Sequence, residues 1–197
     1  GSNTAVGYGA LNLNTTGGNN VGVGNYALDA NTEGERNTAI GSSALTQNTT
    51  GDRNTASGYR ALRENTTGDD NIAMGHYALD DNTTGIRNIA IGSYAYDAAD
   101  TENDNLAIGY GALGGAVAGG EYNVAIGNYS LDANTSGDNN VAIGYNALTA
   151  NTTGTSNIAI GYGAYAAADT ESHNLAIGLA ALGGAIAGGE YNVAIGN

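Results

Sequence analysis

The stretch "NTAIGSSALTQNTTGDR" at residues 37–53 is followed at once by "NTASGYRALRENTTGDD" at 54–70, so the chain copies itself every 17 residues. Such a unit is too short to bury its own apolar residues and must stack on its neighbours, which constrains the fold more than composition does. An asparagine opens every unit: Asn3, Asn20, Asn37, Asn54, Asn71, Asn88, Asn105, Asn123, Asn140, Asn157, Asn174 and Asn192. That makes eleven complete units and a truncated twelfth, spaced by 17 residues except for 18 after Asn105 and Asn174. A longer period lies over the short one: residues 88–128 recur with few changes at 157–197, so the four-unit block at 88–156 is duplicated from 157 onward. Residues 3–197 are expected to form one repeat domain. Gly1-Ser2 reads as a cloning remnant, and the chain as a piece of a longer protein whose leader and anchor lie elsewhere.

Numbered from its asparagine, one unit reads N-(T/V/I/L)-A-(I/V)-G-x-x-A-L-x-x-N-T-T-G-x-x. Apolar residues at positions 2 and 4 around a small position 3 follow the two-residue period of a strand. On that pattern Val124 and Ile126, or Ile158 and Ile160, are expected to point into an interior shared with the Leu or Tyr at position 9. The Ala and Gly of the opposite face are then expected to pack closely against another chain. Glycine holds position 5 in every unit, Gly92, Gly127, Gly144 and Gly161 among them, which points to a positive φ or a close backbone approach. The N-T-T-G segment is turn chemistry, so each coil is expected to hold two short strands and two turns. Stacked coils place the first asparagines, for example Asn88, Asn123, Asn140 and Asn157, above one another in a ladder that bonds along the stack. The expected fold is all-β, a parallel solenoid roughly 50 Å tall at an interstrand spacing of ~4.8 Å.

With 33 Gly, 13 Tyr and no Pro, Phe or Trp, the sequence cannot build an ordinary aromatic core, and the absence of Pro suits uninterrupted ladders. Five Lys plus Arg stand against 19 Asp plus Glu. The net charge of −14 repels nucleic acid and anionic lipid, so neither nucleic-acid binding nor direct membrane contact is expected. There is no Cys, which removes disulfides, structural zinc and thiol chemistry and is compatible with an exported bacterial surface protein.

The repeated motif resembles the heads of trimeric autotransporter adhesins of the YadA type, whose coils carry Asn-Ser-Val-Ala-Ile-Gly-x-x-Ser. "NVAIGNYS" at 123–130 is the nearest match, followed by "NIAIG" at 88–92 and 157–161 and "NLAIG" at 105–109 and 174–178. Related repeats are also similar to parts of phage tail fibres and other bacterial surface fibres. The Ser after Asn is missing here, the later Ser is Ala in every unit but the one ending at Ser130, and the N-T-T-G turn is longer. The resemblance implies a left-handed parallel β-roll, three chains packed around a threefold axis as a homotrimer, and a place at the cell surface with the anchor outside this segment. It also implies binding of a glycan or protein ligand on another cell or matrix.

Sharper motifs give way to plainer explanations. "DANTSGDNNVAI" at 132–143 begins like a calcium loop but ends on Ile143 where a bidentate Glu is needed, and the loops from Asp29 and Asp80 fail in the same way at Ile40 and Ile91. No metal site and no cofactor is expected. The Asn-Thr-Thr tripeptides from Asn14, Asn48, Asn65, Asn82 and Asn151 match a glycosylation acceptor, yet they fall on the repeat's turn. His76 and His173 sit at different positions of their units, no serine lies in a nucleophile elbow, and no catalytic residue is expected.

Nine of the 13 tyrosines occupy positions 6 and 7, just after the invariant glycine. They are expected to cover the coil's corner or a subunit seam, or else to form an outward ligand-binding surface. Candidate ligand-binding residues are Tyr94, Asp100, Glu102, Tyr110, Tyr162, Asp169 and Glu171, drawn from those tyrosines and the acidic turns of the duplicated block. In that block Leu at position 9 becomes Tyr96 and Tyr165, and each is expected to pack against the paired glycines of the following unit, Gly114-Gly115 and Gly183-Gly184. The expected function is multivalent adhesion, in which repeated weak contacts replace a deep pocket. A passive fibre spacer is the alternative. An ice-binding solenoid ranks last, because Thr at position 2 is lost after Thr55.

Overall fold

The computed structural model describes residues 1–115, 120–184 and 189–197. It is an all-β parallel solenoid of about eleven turns of ~17-residue coils. Among the described residues, twelve three-residue strands, the first Thr4–Val6 and the last Val193–Ile195, form one sheet in sequence order. Register never slips: position 2 pairs with position 2 and position 4 with position 4 at every step, as in Val124↔Val141 and Ile126↔Ile143.

Among the described residues each coil carries one strand, not two. The second wall is made of turn residues, because positions 7 and 9 adopt positive φ, as at Tyr26 (57°) and Leu28 (53°), and an extended run cannot pass through them. The residue before each next asparagine is left-handed too, as at Arg36 (58°). These bends are held by bonds to the neighbouring coil: Leu28 N–H donates to Ala44 O at 3.0 Å, and Ala30 N–H to Thr46 O at 2.9 Å. A left-handed L-residue costs about 1–2 kcal/mol. The β-branched residues, which tolerate that region least, are absent from all three positions, so position 9 is filled by Leu or Tyr and never by Ile or Val.

The interior is the reverse of the face expected from hydrophobicity. Alanine at position 3, from Ala39 to Ala176, is fully buried, as are the Ala at position 8 from Ala27 to Ala164 and the Leu at position 9 from Leu28 to Leu148. The larger residues at positions 2 and 4 face outward: Val124, Ile126 and Ile160 are half-buried, and Ile40, Met74 and Ile91 are 47%, 45% and 37% exposed. Position 3 faces a bore already filled by the Leu or Tyr of position 9 and by the asparagines, which leaves room there for alanine and not for a larger side chain. The small-residue face is therefore the core and not a contact with another chain.

Two asparagine ladders line the bore. At position 1 the side chain joins backbones: Asn140 Nδ2 donates to Gly154 O at 2.8 Å within its coil, and Asn123 Oδ1 accepts from Asn140 N–H at 2.9 Å. Asn88, Asn123 and Asn157 are held in the same way. At position 12 the amides bond one another directly, Asn48 Nδ2 to Asn31 Oδ1 at 2.7 Å and Asn65 Nδ2 to Asn48 Oδ1 at 2.8 Å. Most of these asparagines, Asn48, Asn65, Asn82 and Asn151 included, are fully buried, so the Asn-Thr-Thr tripeptides present no accessible acceptor at those four sites.

Candidate functional site

Positions 6 and 7 form an outer corner where tyrosines touch from coil to coil. Rings run from Tyr59 through Tyr77, Tyr94, Tyr110, Tyr129 and Tyr145 to Tyr162, with centroids 5.2–6.3 Å apart. The parallel ladder dictates this, since equivalent residues one coil apart are strand neighbours. His76 joins the stripe between Tyr59, Tyr77 and Tyr94.

The stripe is notched between Tyr94 and Tyr129. In the coil that starts at Asn105, positions 7 and 10 are Gly111 and Gly114, which carry no side chain. A cavity of about 290 Å³ opens there, walled by Tyr94, Tyr110 and Tyr129 and bordered by the carboxylates of Asp97 and Asp132. Tyr94 and Asp97 come from the coil before, Tyr129 and Asp132 from the coil after. Asp132 Oδ1 lies 3.4 Å from where a Cβ on Gly114 would stand, and the Tyr129 ring lies 3.2 Å from that of Gly111. The volume falls at the low end for ligand pockets, which suits one side chain or one ring. A second cavity, of about 460 Å³, lies at the end of the stack beside Leu182, Val193 and Ile195, where no charged or aromatic side chain lines it.

The carboxylates of the notch are held protonated to higher pH than usual. Burial pushes Asp97 up to about 6, and the negative charges of Asp81, Asp80 and Asp132 add to the effect. Burial alone raises Asp132. All five Arg precede residue 88 and the chain has no Lys, so no cationic Lys or Arg side chain lies within the coils that build the notch. Because the folded pKa of Asp97 lies above the unfolded value of ~3.9, the folded chain binds a proton there that the unfolded chain does not. Stability from this group therefore rises as pH falls from 7 through 6, and the gain is complete near pH 4. Asp70 and Asp104, held low by Arg53 and Arg87, act oppositely and only below about pH 4. Melting curves at pH 7 and pH 5 check this: acidification should stabilise the unaltered chain more than Asp97→Asn, and an equal gain in both would show that Asp97 is not the group responsible.

The sequence candidates are not brought together in one place. Tyr94 and Tyr110 wall the notch, whereas Tyr162 ends the stripe against Tyr145. Asp100 and Asp169 lie on another corner, where each accepts from the threonine hydroxyl one coil before it, Thr83 and Thr152. Glu102 and Glu171 turn inward and are buried, accepting N–H bonds from their own turns. Comparison of the chain with family models, curated proteins and solved structures returned no match. Among the described residues no group of His, Cys, Asp or Glu could hold a metal ion, and no helix is long and apolar enough to cross a membrane.

Sequence reasoning passed over Asp97, Gly111, Gly114, Tyr129 and Asp132 as a group. The available signal was the alignment of positions 7 and 10 across coils, where two glycines fall between two Tyr/Asp pairs. A further candidate surface in the sequence, the acidic turns 97–104 and 166–173 with the Gly-rich stretches 114–120 and 183–189, lies partly outside the described residues.

Proposed function

We propose that the chain is a head segment of a bacterial surface fibre, similar to YadA-type adhesins, that assembles as a homotrimer of left-handed rolls and binds surface ligands multivalently. The observation that carries this reading is the outward ladder of apolar residues at positions 2 and 4. It runs from Val6 through Ile40, Met74, Ile91 and Ile158 to Val193 and Ile195, all seven exposed, and is interrupted at the coil that starts at Asn54, where Thr55 and Ser57 take positions 2 and 4. Extended apolar surface of this kind marks an interface, and a rod whose pitch repeats every coil offers an equivalent copy the matching pitch over its whole length. The trimer contact thus falls on the branched residues and not on the alanines.

Three rods side by side present three copies of each surface feature, and simultaneous engagement raises avidity without any deep pocket. The reading requires no catalysis. The unbroken register of the sheet favours a passive spacer as the second reading, since identical coils suit a role of length alone.

Light scattering on the purified chain is expected to give three times the monomer mass of 19.6 kDa. Replacing outward residues in mid-stack with lysine, as in Ile91→Lys with Ile126→Lys, should dissociate the trimer while leaving the coil's circular dichroism intact. The trimer should bind cells or a glycan array and the dissociated variant should not. A stable monomer at micromolar concentration overturns the assembly, and a trimer that binds no surface leaves the spacer.

A further inference from the structure

The notch at Gly111 has an occupied counterpart three coils earlier in the same chain. There positions 7 and 10 are Arg60 and Arg63, and the following coil supplies Tyr77 and Asp80 at the places that Tyr129 and Asp132 hold beside the notch. The Arg60 guanidinium lies 4.5 Å from the centroid of the Tyr77 ring. Its Nη1 donates to the Tyr77 hydroxyl at 3.0 Å and its Nη2 to Asp80 Oδ2 at 3.1 Å, while Arg63 Nε donates to Asp80 Oδ1 at 2.9 Å. The buried Asp80 carboxylate is thus matched by two guanidinium groups. In the notch both arginines are glycine, the ring and the carboxylate remain, and the coil before adds a second ring and a second carboxylate, Tyr94 and Asp97.

We propose that the notch binds an arginine side chain of a partner polypeptide, with the guanidinium among the Tyr94, Tyr110 and Tyr129 rings and its N–H groups donating to Asp97 and Asp132. A guanidinium is planar, stacks on aromatic faces and carries five donors in one fork, which a lysine ammonium lacks. A neutral sugar ring can stack on tyrosine but leaves two partly desolvated carboxylates without a counter-charge, whose burial is costly. The coils that build the site supply no arginine to fill it, because all five in the sequence precede residue 88. The duplicated block does not repeat it: Gly163 and Ala166 stand where Tyr94 and Asp97 stand in the first, so among the described residues each chain carries one such notch. This inference rests on the reading of the chain as a binding fibre and names the chemistry of one contact.

The test is titration of the full chain with Nα-acetyl-arginine amide, followed by the ring signals of the tyrosines in NMR, against the citrulline and lysine analogues and methyl glucoside. The arginine probe should saturate a single site at least about tenfold more tightly than citrulline, its neutral isostere. Asp97→Asn and Asp132→Asn, which keep shape and remove charge, should each weaken it about tenfold. Gly111→Arg should abolish binding by filling the slot from within; Arg60 already occupies the equivalent position at the same φ of 58°. Equal binding of arginine and citrulline, tighter binding of methyl glucoside, or binding untouched by the Asn variants overturns the proposal. Surface binding by the trimer with no arginine preference would overturn this inference alone, whereas arginine capture by a chain that binds no surface would overturn the fibre reading.

Discussion

Replacing Gly127 with valine is expected to lower the melting temperature by roughly 10–15 °C or to prevent folding, and the cause lies in two independent facts. Gly127 sits at φ +133°, a region that L side chains rarely adopt. A Cβ there would lie 2.4 Å from Gly144 O and 2.6 Å from Gly144 C of the next coil, both backbone atoms that cannot swing aside. Strain of about 1–3 kcal/mol adds to overpacking of about 1–3 kcal/mol, and each kcal/mol shifts the melting point of a chain this long by about 2–4 °C. The same clash recurs at Gly144 and Gly161, where a Cβ would meet the next coil's carbonyl oxygen at 2.3 Å, and Gly92 is alike. Gly163 is the control. Its φ is 59° with nothing within 4 Å of a Cβ, and asparagine tolerates that region, so Gly163→Asn should melt within about 2 °C of the parent. Circular dichroism melts of the two variants decide it, and equal behaviour would show that close approach of the coils is not what requires the glycine.

The coil, its period and the special backbone at position 5 were legible because repetition multiplies weak local signals, and each of twelve units carries the same glycine. The inside and outside of the coil were not. Ranking by hydrophobicity places Val124 and Ile126 in the core and Ala125 outside, yet Ala125 is fully buried. Bore width decides, and a strand's alternation gives two faces without saying which encloses the lumen. One clue was on the page: Leu at position 9 never becomes Ile or Val, the exclusion expected of a left-handed backbone. The notch escaped because it consists of missing side chains. Gly111 and Gly114 acquire meaning only against Tyr94, Asp97, Tyr129 and Asp132 in the coils above and below, a comparison across the stack and not along the chain. The acidic turn misled for the opposite reason. Asp100 and Glu102 are neighbours in sequence, but the solenoid sends one to the outer threonine row and the other into the core.

The duplicated block carries the second large effect, and there the compensation is not the one the sequence pointed to. Tyr96 is fully buried and its hydroxyl accepts from Asn105 Nδ2 at 2.7 Å, while the atoms nearest to a Cβ on Gly114 or Gly115 belong to Tyr94, Gly111, Asp132 and Ala133. What changes with Tyr96 is its own coil: Ala99 replaces the asparagine of position 12 and Glu102 the glycine of position 15. The asparagine ladder stops there, so Asn82 Oδ1 is buried without a hydrogen-bond partner, and Asn151 Oδ1 is in the same state before Ala168. The phenol occupies bore space that the shorter Ala99 leaves, and Glu102 accepts from Asp100 and Thr101 N–H at 2.9 and 3.2 Å. Tyr96→Leu alone is therefore expected to cost about 2–4 kcal/mol, from the emptied volume and the lost bond to Asn105. Adding Ala99→Asn and Glu102→Gly rewrites the coil to the pattern of its neighbours, gives Asn82 Oδ1 an amide donor and should restore most of the loss. The three changes must couple by at least about 1 kcal/mol, whereas Tyr96→Leu and Gly114→Asp should add within about 0.5 kcal/mol because the atoms nearest to a side chain at Gly114 are those of Tyr94, Gly111 and Asp132. Denaturant melts of the single, triple and paired variants measure both quantities. A triple variant no more stable than Tyr96→Leu would mean that the phenol, the alanine and the buried glutamate are not one substitution of the core but three unrelated ones.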